Sequence, residues 1–414
     1  MSKDLRSFLA EAAEHQPGGV KVVEASTDPQ VGVAQWVAGY AARGEHPALL
    51  FPRMAGSELG VVTNVVATDE RLALACGIRL ESLRTPSLAA FAGAGPEAVE
   101  VSVDAAPVKQ VVWRDDQVDL GRLPVPTHRR TDAGPFLTAA VAIMRDPWTG
   151  NVHAGIYRCQ VHGPRLLGMW NLGTHHAAKI VHHNEQAGRD TPVALAIGHH
   201  PALLLAAVAR LEDAGGEYRG AGALLQAALE VVSAETSDLP VPARAEIIIE
   251  GHVKAGLSRE EGPFTEWTDV AVGGGHKPVI EVGALTMRDD AIFQDIQPRG
   301  REHQALGTLP RVAAIHAQIS EVVAELAAVR VPLDVRMHCY VALRKSDDAE
   351  PVRAGMAAFE AERDHLRLVV VVDDDVDVWD DGDVWWAIGT RFDAVTDLTV
   401  LPDHHPPGGV LPTT

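Results

Sequence analysis

The sequence of 414 residues is poor in cysteine and in aromatic side chains, and these shortages exclude several classes of protein. Its three cysteines, Cys76, Cys159 and Cys339, lie far apart and form no CxxC motif, which argues against a disulfide framework or a thiolate metal site. No apolar run is long enough to span a membrane, and the charged N-terminus lacks the apolar core of a signal peptide. We therefore expect a cytoplasmic protein.

Basic residues are fewer than acidic residues in this chain. The chain has 36 lysines and arginines against 56 aspartates and glutamates, which leaves a net charge of −20 at pH 7. This balance argues against binding to nucleic acid or to an anionic membrane surface. An anionic small-molecule substrate would have to be attracted by a local positive site. The HExxH motif of the zincin metalloproteases is absent as well.

The length of the chain predicts two or three domains, because single cores of this size are unusual. Alternating helix-like and strand-like segments indicate an α/β domain over residues 1–115. Strand-like runs separated by turns indicate a barrel-like domain over 116–306, interrupted by one helix that begins at Pro201 and stops at Gly215. A third domain, again α/β, is predicted over 307–414. Its expected elements are a helix at 311–329, a strand at 336–343, a helix at 354–366 and a buried parallel strand within 366–378.

Two glutamates flank a Gly-Pro turn in the stretch EGPFTE, residues 261–266. Glu261 and Glu266 would point in different directions in a helix and to opposite faces in a strand, so their carboxylates can meet only if the chain turns between them. In a pocket made partly apolar by Phe264, two such acids can differ in protonation, and one of them could act as a general acid. The alternative interpretation is an exposed surface turn.

Other candidate residues surround a region that is rich in histidine. Arg158 follows an apolar, strand-like run and needs an anion, either as a structural ion pair or as a recognition site for a carboxylate or phosphate. Glu217 is either a solvated loop acid or an oxygen ligand for a hard cation. The acidic run at 373–375 is interpreted as a solvated strand end. Eight of the 19 histidines could bind a metal or lie exposed on helix surfaces: His153, His162, His175, His176, His182, His183, His199 and His200.

Five stretches of this sequence form a family pattern: THRRTDAGPFLTAAVAIMRDPWTGNVHAGIYR, GRDTPVALAIG, ETSDLPVPARAEIIIEG, EGPFTEW and TMRDDAIFQDI. Together they resemble the UbiD family of decarboxylases, which use prenylated FMN. The similarity runs from DLRSFL near the start to GDVWWAIGTRF near the end. It implies a multidomain α/β fold with a central split β-barrel that binds the flavin. It also implies a homodimer or larger homo-oligomer formed through the C-terminal domain.

The resemblance further implies roles for individual residues. Arg158 would orient the substrate carboxylate, Glu261 would pair with Arg158, and Glu266 would donate a proton. The implied metal ligands are His153, His176 and Glu217, which would hold Mn²⁺ or, alternatively, Mg²⁺, with K⁺ as a further cation. The implied cofactor-binding residues are Ile156, Tyr157, Arg158, His175, His176, Ala207, Val208 and Glu217.

The implied reaction is reversible, non-oxidative decarboxylation of an α,β-unsaturated or (hetero)aromatic acid, with the cofactor supplied by a flavin prenyltransferase. Two departures from the family pattern affect this prediction. His153 occupies the position of an asparagine ligand, with Asn151 displaced by two residues. The sequence also ends at GGVLPTT without the lysine that usually helps to hold the cofactor phosphate, so we expect weaker phosphate binding or another group in that role.

Three other functions stay open at this point. A histidine-rich, metal-dependent hydrolase using His175, His176 and Glu217 would need a metal but no flavin. A flavin-dependent reductase on a similar barrel would consume a nicotinamide. A cofactor-binding protein without catalysis would agree with the two departures, although Arg158, Glu261 and Glu266 argue against it.

Overall fold

The computed structural model describes residues 3–84, 95–170, 173, 175–209, 216–402 and 404. The chain divides into two compact units. The first contains residues 1–77 and 89–303, and the second contains residues 78–88 and 304–414. The mixed α/β, multidomain fold class predicted from the sequence is confirmed. The three-domain boundaries and the split-barrel form of the central sheet stay predictions.

The helices of the first unit begin where the sequence supplies capping groups. Asp4 caps the first helix, with its side chain bonded to the Ser7 amide and the Ser7 hydroxyl placed to complete a capping box. Pro201 opens the fifth helix as predicted, but the helix ends at Val208, because Ala209 is extended; the predicted stop at Gly215 lies outside the described residues. These helices are α1 (Leu5–His15), α2 (Gly32–Ala41), α3 (Asp69–Cys76), α4 (His176–Gln186), α5 (Pro201–Val208) and α6 (Glu217–Leu225).

The strands of the first unit form one long antiparallel sheet and three smaller sheets. They are β1 (Val20–Val22), β2 (Ala48–Phe51), β3 (Gly60–Thr63), β4 (Val99–Glu100), β5 (Val111–Arg114), β6 (Phe136–Leu137), β7 (Val141–Arg145), β8 (Val152–Ile156), β9 (Cys159–Gly163), β10 (Leu166–Met169), β11 (Thr191–Ile197), β12 (Glu230–Ser233), β13 (Pro240–Pro242), β14 (Ile247–Glu260), β15 (Phe264–Thr265), β16 (Ala271–Val272), β17 (His276–Met287) and β18 (Ile292–Gln294). The long sheet has the order β6-β9-β10-β17-β14-β11-β7-β8, and β5 adds to β17.

The long sheet supplies most of the core of the first unit. Apolar residues of β7, β10, β11, β14 and β17 are buried together, and α4 packs against β11 and β14. The smaller sheets have the orders β1-β2-β3-β18, β13-β12-β4 and β15-β16. The Pro-rich segment at 118–128 also contributes to this core, where Val118, Leu120, Leu123 and Val125 are buried.

One strand-like run is broken in the structure, and the break matters for the site. The sequence places Arg158 directly after an apolar, strand-like run. In the structure, β8 ends at Ile156, β9 begins at Cys159, and Tyr157 and Arg158 lie between them. Arg158 therefore projects from a corner between two strands rather than from within one strand.

The second unit contains a three-stranded sheet, and one prediction made for it was wrong. Its elements are most of α7 (Arg301–Ser320), then β19 (Leu326–Arg330), β20 (His338–Leu343), α8 (Glu350–Ala361), β21 (Leu368–Asp373) and α9 (Asp381–Arg391). The helix predicted over 311–329 ends at Ser320, and the LAAVR segment is a strand. It pairs antiparallel with β20, and this pairing overrides a helix-favouring local sequence.

The strand predicted within 366–378 is parallel, as expected, but it is not fully buried. β21 pairs in parallel with β20 and lies at the edge of the sheet, so its side chains are half-buried. The acids that follow it are solvated as interpreted, with Asp374 paired to Arg344 and Asp375 to Arg391. No helix in the described part of the chain is long and apolar enough to cross a membrane.

We expect the stability of the first unit to fall in acid because of two buried histidines. Burial lowers the pKa of His199 to about 4 and that of His200 to about 3, whereas the ordinary value is 6.5. The unfolded chain then binds more protons than the folded chain below pH 6.5. The free energy of unfolding should therefore fall as the pH drops below this value, by up to about 1.4 kcal/mol per pH unit for each group.

Urea unfolding at pH 7 and pH 5 checks this expectation. The Nδ1 atom of His200 accepts a hydrogen bond from the Ala202 amide at the start of α5, so His200→Asn keeps an acceptor while it removes the titrating group. The variant should lose less stability between the two pH values than the wild type. His15→Asn, at an exposed position, is the control. An unchanged pH dependence in His200→Asn would contradict the burial of a neutral imidazole.

Candidate active site

Arg158 forms a buried, two-bonded ion pair with Glu261. Its Nε atom lies 2.9 Å from Oε1 of Glu261, and its Nη2 atom lies 3.0 Å from Oε2. Its Nη1 atom donates to Glu266. The turn in EGPFTE thus brings both acids to one guanidinium, as their spacing required. A fork-to-carboxylate pair of this kind holds the plane of the guanidinium in one orientation.

The EGPFTE loop is held in shape by contacts from outside it. The main chain of Glu261 bonds to Gly274 and Gly275 at the base of the loop. The amide of Gly262 donates to the side chain of Gln160. Gly262 has a φ of 88°, and a side chain there would lie 2.8 Å from the backbone of Gly273, so glycine is required.

The far end of the loop is anchored by a separate carboxylate. Asp132 accepts hydrogen bonds from both the amide and the hydroxyl of Thr265, at 2.8 and 2.9 Å. Thr265 belongs to β15, which pairs with β16 to form a short hairpin. This anchoring places Glu266, the next residue, at the guanidinium of Arg158.

The two glutamates differ in their access to solvent. Glu261 is fully buried, whereas a quarter of the Glu266 side chain is exposed. The rings of Trp170 and Phe264 lie over the guanidinium of Arg158, with their centres 4.1 and 4.6 Å from its central carbon. Glu261 can therefore serve as a fixed counter-ion, while Glu266 can exchange a proton with water.

A second polar group lies at the other end of β8, where helices α4 and α6 begin. The Nδ1 atom of His153 lies 2.7 Å from Oε1 of Glu217, and its Nε2 atom lies 3.0 Å from the hydroxyl of Tyr157. The ring of His176 stacks on that of His153 at 4.6 Å. Burial raises the pKa of Tyr157 to about 12, so its phenol stays neutral at physiological pH.

Asp146 holds the second histidine of this group in place. Its Oδ2 atom lies 2.7 Å from Nε2 of His176. Burial acts to raise the pKa of Asp146, but the amides of Thr149 and Trp148 and the imidazole of His176 outweigh it and keep that pKa below its usual range. His175 precedes α4, and its ring faces Tyr157 at 5.7 Å. Of the two adjacent histidines, His176 is therefore the one beside His153.

The donor atoms of this group suit a divalent cation in their chemistry. The Oε2 atom of Glu217 is buried and has no hydrogen-bond partner among the described residues, and it lies in a pocket with two imidazoles. As placed, however, His153 and Glu217 bond each other. No group of three His, Cys, Asp or Glu side chains in the described ranges is arranged to hold a metal. The assignment of His153, His176 and Glu217 as metal ligands stays a prediction.

The remaining predicted cofactor residues flank this polar group. Ile156 ends β8 and Tyr157 follows it, while Ala207 and Val208 end α5, which packs against β8. Their predicted contact with a cofactor stays a prediction. Four further residues of the site were not predicted from the sequence. Trp170 and Asp146 contact the predicted residues Arg158 and His176. Asp132 and Gln160 hold the EGPFTE loop. Trp170 lies opposite Arg158 because of the antiparallel register of β9 and β10. This register cannot be read from the sequence alone, so no signal in the sequence could have identified Trp170.

Comparison with known proteins identifies the family. The model of the UbiD 3-octaprenyl-4-hydroxybenzoate carboxy-lyase Rift-related domain matches residues 99–301, and that of the carboxy-lyase C-terminal domain matches residues 304–406. Together they cover well over half of the chain. The chain therefore belongs to the UbiD family of carboxy-lyases, which confirms the resemblance seen in its sequence.

Individual relatives agree with this assignment. An evolved dimeric form of the UbiD-class enzyme HmfF from Pelotomaculum thermopropionicum, solved with prFMN, is 36% identical, with a TM-score of 0.91 and coverage of 97% of this chain and 92% of that one. Apo 3,4-dihydroxybenzoic acid decarboxylase (AroY) from Klebsiella pneumoniae is 26% identical, with a TM-score of 0.88 and coverage of 95% and 86%. Anhydromevalonate phosphate decarboxylase from Methanothermobacter thermautotrophicus is 31% identical over 362 residues, which cover 86% of this chain and 83% of the relative.

Removal of either glutamate should destabilise the protein, but to different degrees. Glu261→Ala leaves the buried guanidinium of Arg158 without its two-bonded counter-ion, so we expect the free energy of unfolding to fall by about 3 kcal/mol. Glu266→Ala removes a partly exposed partner and should cost less than about 1 kcal/mol. Urea unfolding of both variants at neutral pH measures the difference. Equal losses would contradict the buried, structural character of the Arg158–Glu261 pair.

Proposed function

We propose that this protein decarboxylates an α,β-unsaturated or (hetero)aromatic acid in a prenylated FMN-dependent, reversible and non-oxidative reaction. The observation that carries the proposal is the arrangement of one guanidinium between a fully buried and a partly exposed glutamate. It is supported by family membership and by the prFMN complex of a relative that is similar over almost the whole chain.

Arg158 is the proposed binding group for the carboxylate that is lost. A guanidinium has five N–H bonds, and Glu261 and Glu266 take three of them. The two that remain belong to Nη1 and Nη2, the terminal nitrogens, and can bind a substrate carboxylate. Because Glu261 fixes the guanidinium plane and Trp170 and Phe264 pack against it, the substrate carboxylate would be held in one direction.

Glu266 is the proposed proton donor. When the carboxylate leaves as CO₂, the carbon that carried it must receive a proton. Glu266 lies at Arg158, so it is beside the position where the carboxylate binds, and its exposed side allows reprotonation from water. Glu261 is unsuited to this role, because both of its oxygens are occupied by Arg158 and it is shielded from solvent. In the carboxylation direction, Glu266 would accept the proton.

Prenylated FMN, when bound, would supply the electron sink that decarboxylation at an unsaturated carbon requires. The proposed holding residues are Ile156, Tyr157, Arg158, His175, His176, Ala207, Val208 and Glu217. His153, His176 and Glu217 are proposed to bind Mn²⁺ or Mg²⁺ for the cofactor phosphate, with the unpartnered Oε2 of Glu217 as the supporting observation. A flavin prenyltransferase would supply the cofactor, and a homodimer is proposed because a dimeric form occurs among the relatives.

Replacement of Glu266 by glutamine should suppress turnover while the cofactor remains bound. Glutamine keeps the size of the side chain but cannot donate a carboxylic proton, so kcat should fall by about 10²- to 10⁴-fold. Release of CO₂ from a panel of unsaturated and aromatic acids is the measurement. The control is Glu260→Gln, which changes an exposed neighbouring acid at the end of β14. Normal turnover in Glu266→Gln would exclude it as the proton donor.

The cofactor itself can be identified directly. After co-expression with a flavin prenyltransferase, we expect the purified protein to show a flavin-type absorption spectrum and to release prenylated FMN in a mass spectrum. Glu217→Ala should reduce the retained cofactor, because it removes the proposed ligand for the phosphate-bound cation. Protein that retains a metal but no flavin under these conditions would overturn the proposal in favour of a metal-dependent hydrolase.

A further inference from the structure

The sheet that carries Arg158 also places two further cations in line with it. The amide of Trp170 donates to the carbonyl oxygen of Arg158, at 3.0 Å, which makes these residues neighbours across β9 and β10. Gly168 pairs with Val279 on β17. Because the strands are antiparallel, Trp170, two residues after Gly168, lies beside Lys277, two residues before Val279. Lys277 in turn pairs with Arg259 on β14. We call Arg158, Trp170, Lys277 and Arg259 the cation row.

The members of the cation row lie on one face of the sheet, because register partners on neighbouring strands point to the same side. The side-chain contacts agree with this. The Nζ atom of Lys277 lies 4.1 Å from the centre of the Trp170 ring, and the central carbon of the Arg158 guanidinium lies at the same distance from that centre. The two cations are therefore no further apart than twice this distance, which a small organic acid can span.

Of the three cations in the cation row, only Arg158 forms ion pairs with carboxylates in the described part of the chain. Arg158 has two carboxylate partners, Glu261 and Glu266. Neither Lys277 nor Arg259 has a carboxylate within ion-pair distance among the residues that the structure describes. Like charges directly opposite each other on neighbouring strands repel. In a chain of net charge −20, this pair therefore keeps positive charge available for an anion from outside.

The charge balance around Arg158 also indicates that an anionic substrate needs positive charge from neighbouring residues. The single positive charge of Arg158 is already balanced by the buried carboxylate of Glu261, and Glu266 adds no positive charge, so the trio alone offers no excess positive charge to an approaching carboxylate. Lys277 adds a positive charge to the same face, on a side chain that is only half-buried and thus open to a ligand. Arg259 is exposed beside it.

We propose that Lys277 and Arg259 bind a second anionic group of the substrate. The substrate class would then be acids that carry a further carboxylate or phosphate besides the carboxylate that is lost. Trp170, whose ring contacts both Arg158 and Lys277, lies between the two anion positions and sets their spacing. This inference rests on the proposed function, because it assigns Arg158 to the carboxylate that is lost.

The test is isothermal titration calorimetry of the cofactor-loaded protein with benzoate, benzene-1,4-dicarboxylate and 4-phosphonobenzoate. The wild type should bind the two dianionic probes more tightly than benzoate. Lys277→Met should reduce this preference about tenfold or more, which is the usual effect of losing one charge-assisted contact. Lys277→Arg should keep most of it. The control is Lys254→Met, on the same strand as Arg259, where the lysine is already paired with Asp190 and Glu281.

Two results would overturn the inference. One is equal affinity of the wild type for benzoate and for the dianionic probes. The other is loss of retained flavin in Lys277→Met with no change in probe preference, which would show that these cations bind the phosphate of the cofactor. The comparison of the carboxylate and phosphonate probes tells which second anion is preferred.

The calorimetric test separates this inference from the proposed function, because it does not depend on turnover. A preference for dianionic probes that is lost in Lys277→Met, without CO₂ release from any acid, would support the anion site and contradict the decarboxylase. Turnover of monoacids without any preference for dianionic acids would support the decarboxylase and contradict the anion site.

Discussion

The buried ion pair between Arg158 and Glu261 is the interaction on which the rest of the site depends. Removing two charges from water is costly, and their attraction offsets this cost only when the geometry is good and the remaining donors are occupied. Here both Glu261 oxygens meet guanidinium nitrogens, a second carboxylate takes a third nitrogen, and two aromatic rings cover the faces. This geometry requires the corner between β8 and β9 and the shaped loop at the end of β14.

The same loop gives two chemically identical side chains different properties. Glu261 leaves β14 directly into the interior and is held by the main chain of Gly274 and Gly275. Glu266 follows the anchored Thr265 and reaches the guanidinium from the solvent side. A fixed counter-ion and an exchangeable acid thus arise from position alone. The resulting trio carries no net positive charge, which gives the neighbouring positive charges on β17 and β14 their significance for an anionic ligand.

Several features of the fold could be predicted from the sequence because their signals are local. Pro201 marks a helix start whatever surrounds it, and the spacing of Glu261 and Glu266 around Gly-Pro demands a turn if the acids are to meet. The predictions failed where a partner strand decides the outcome. The segment 326–330 has a helix-favouring composition but pairs with β20, and the apolar β21 lies at a sheet edge that its composition cannot reveal.

By itself, the sequence determined the family, the mixed α/β class and the identity of the three charged residues that meet at the site, because motifs and turn chemistry are properties of short segments. Only the tertiary structure decided which glutamate is buried, which of two adjacent histidines stands beside His153, and that Trp170, Lys277 and Arg259 share a row with Arg158. The physical reason is that burial and cross-strand register depend on residues that are distant along the chain.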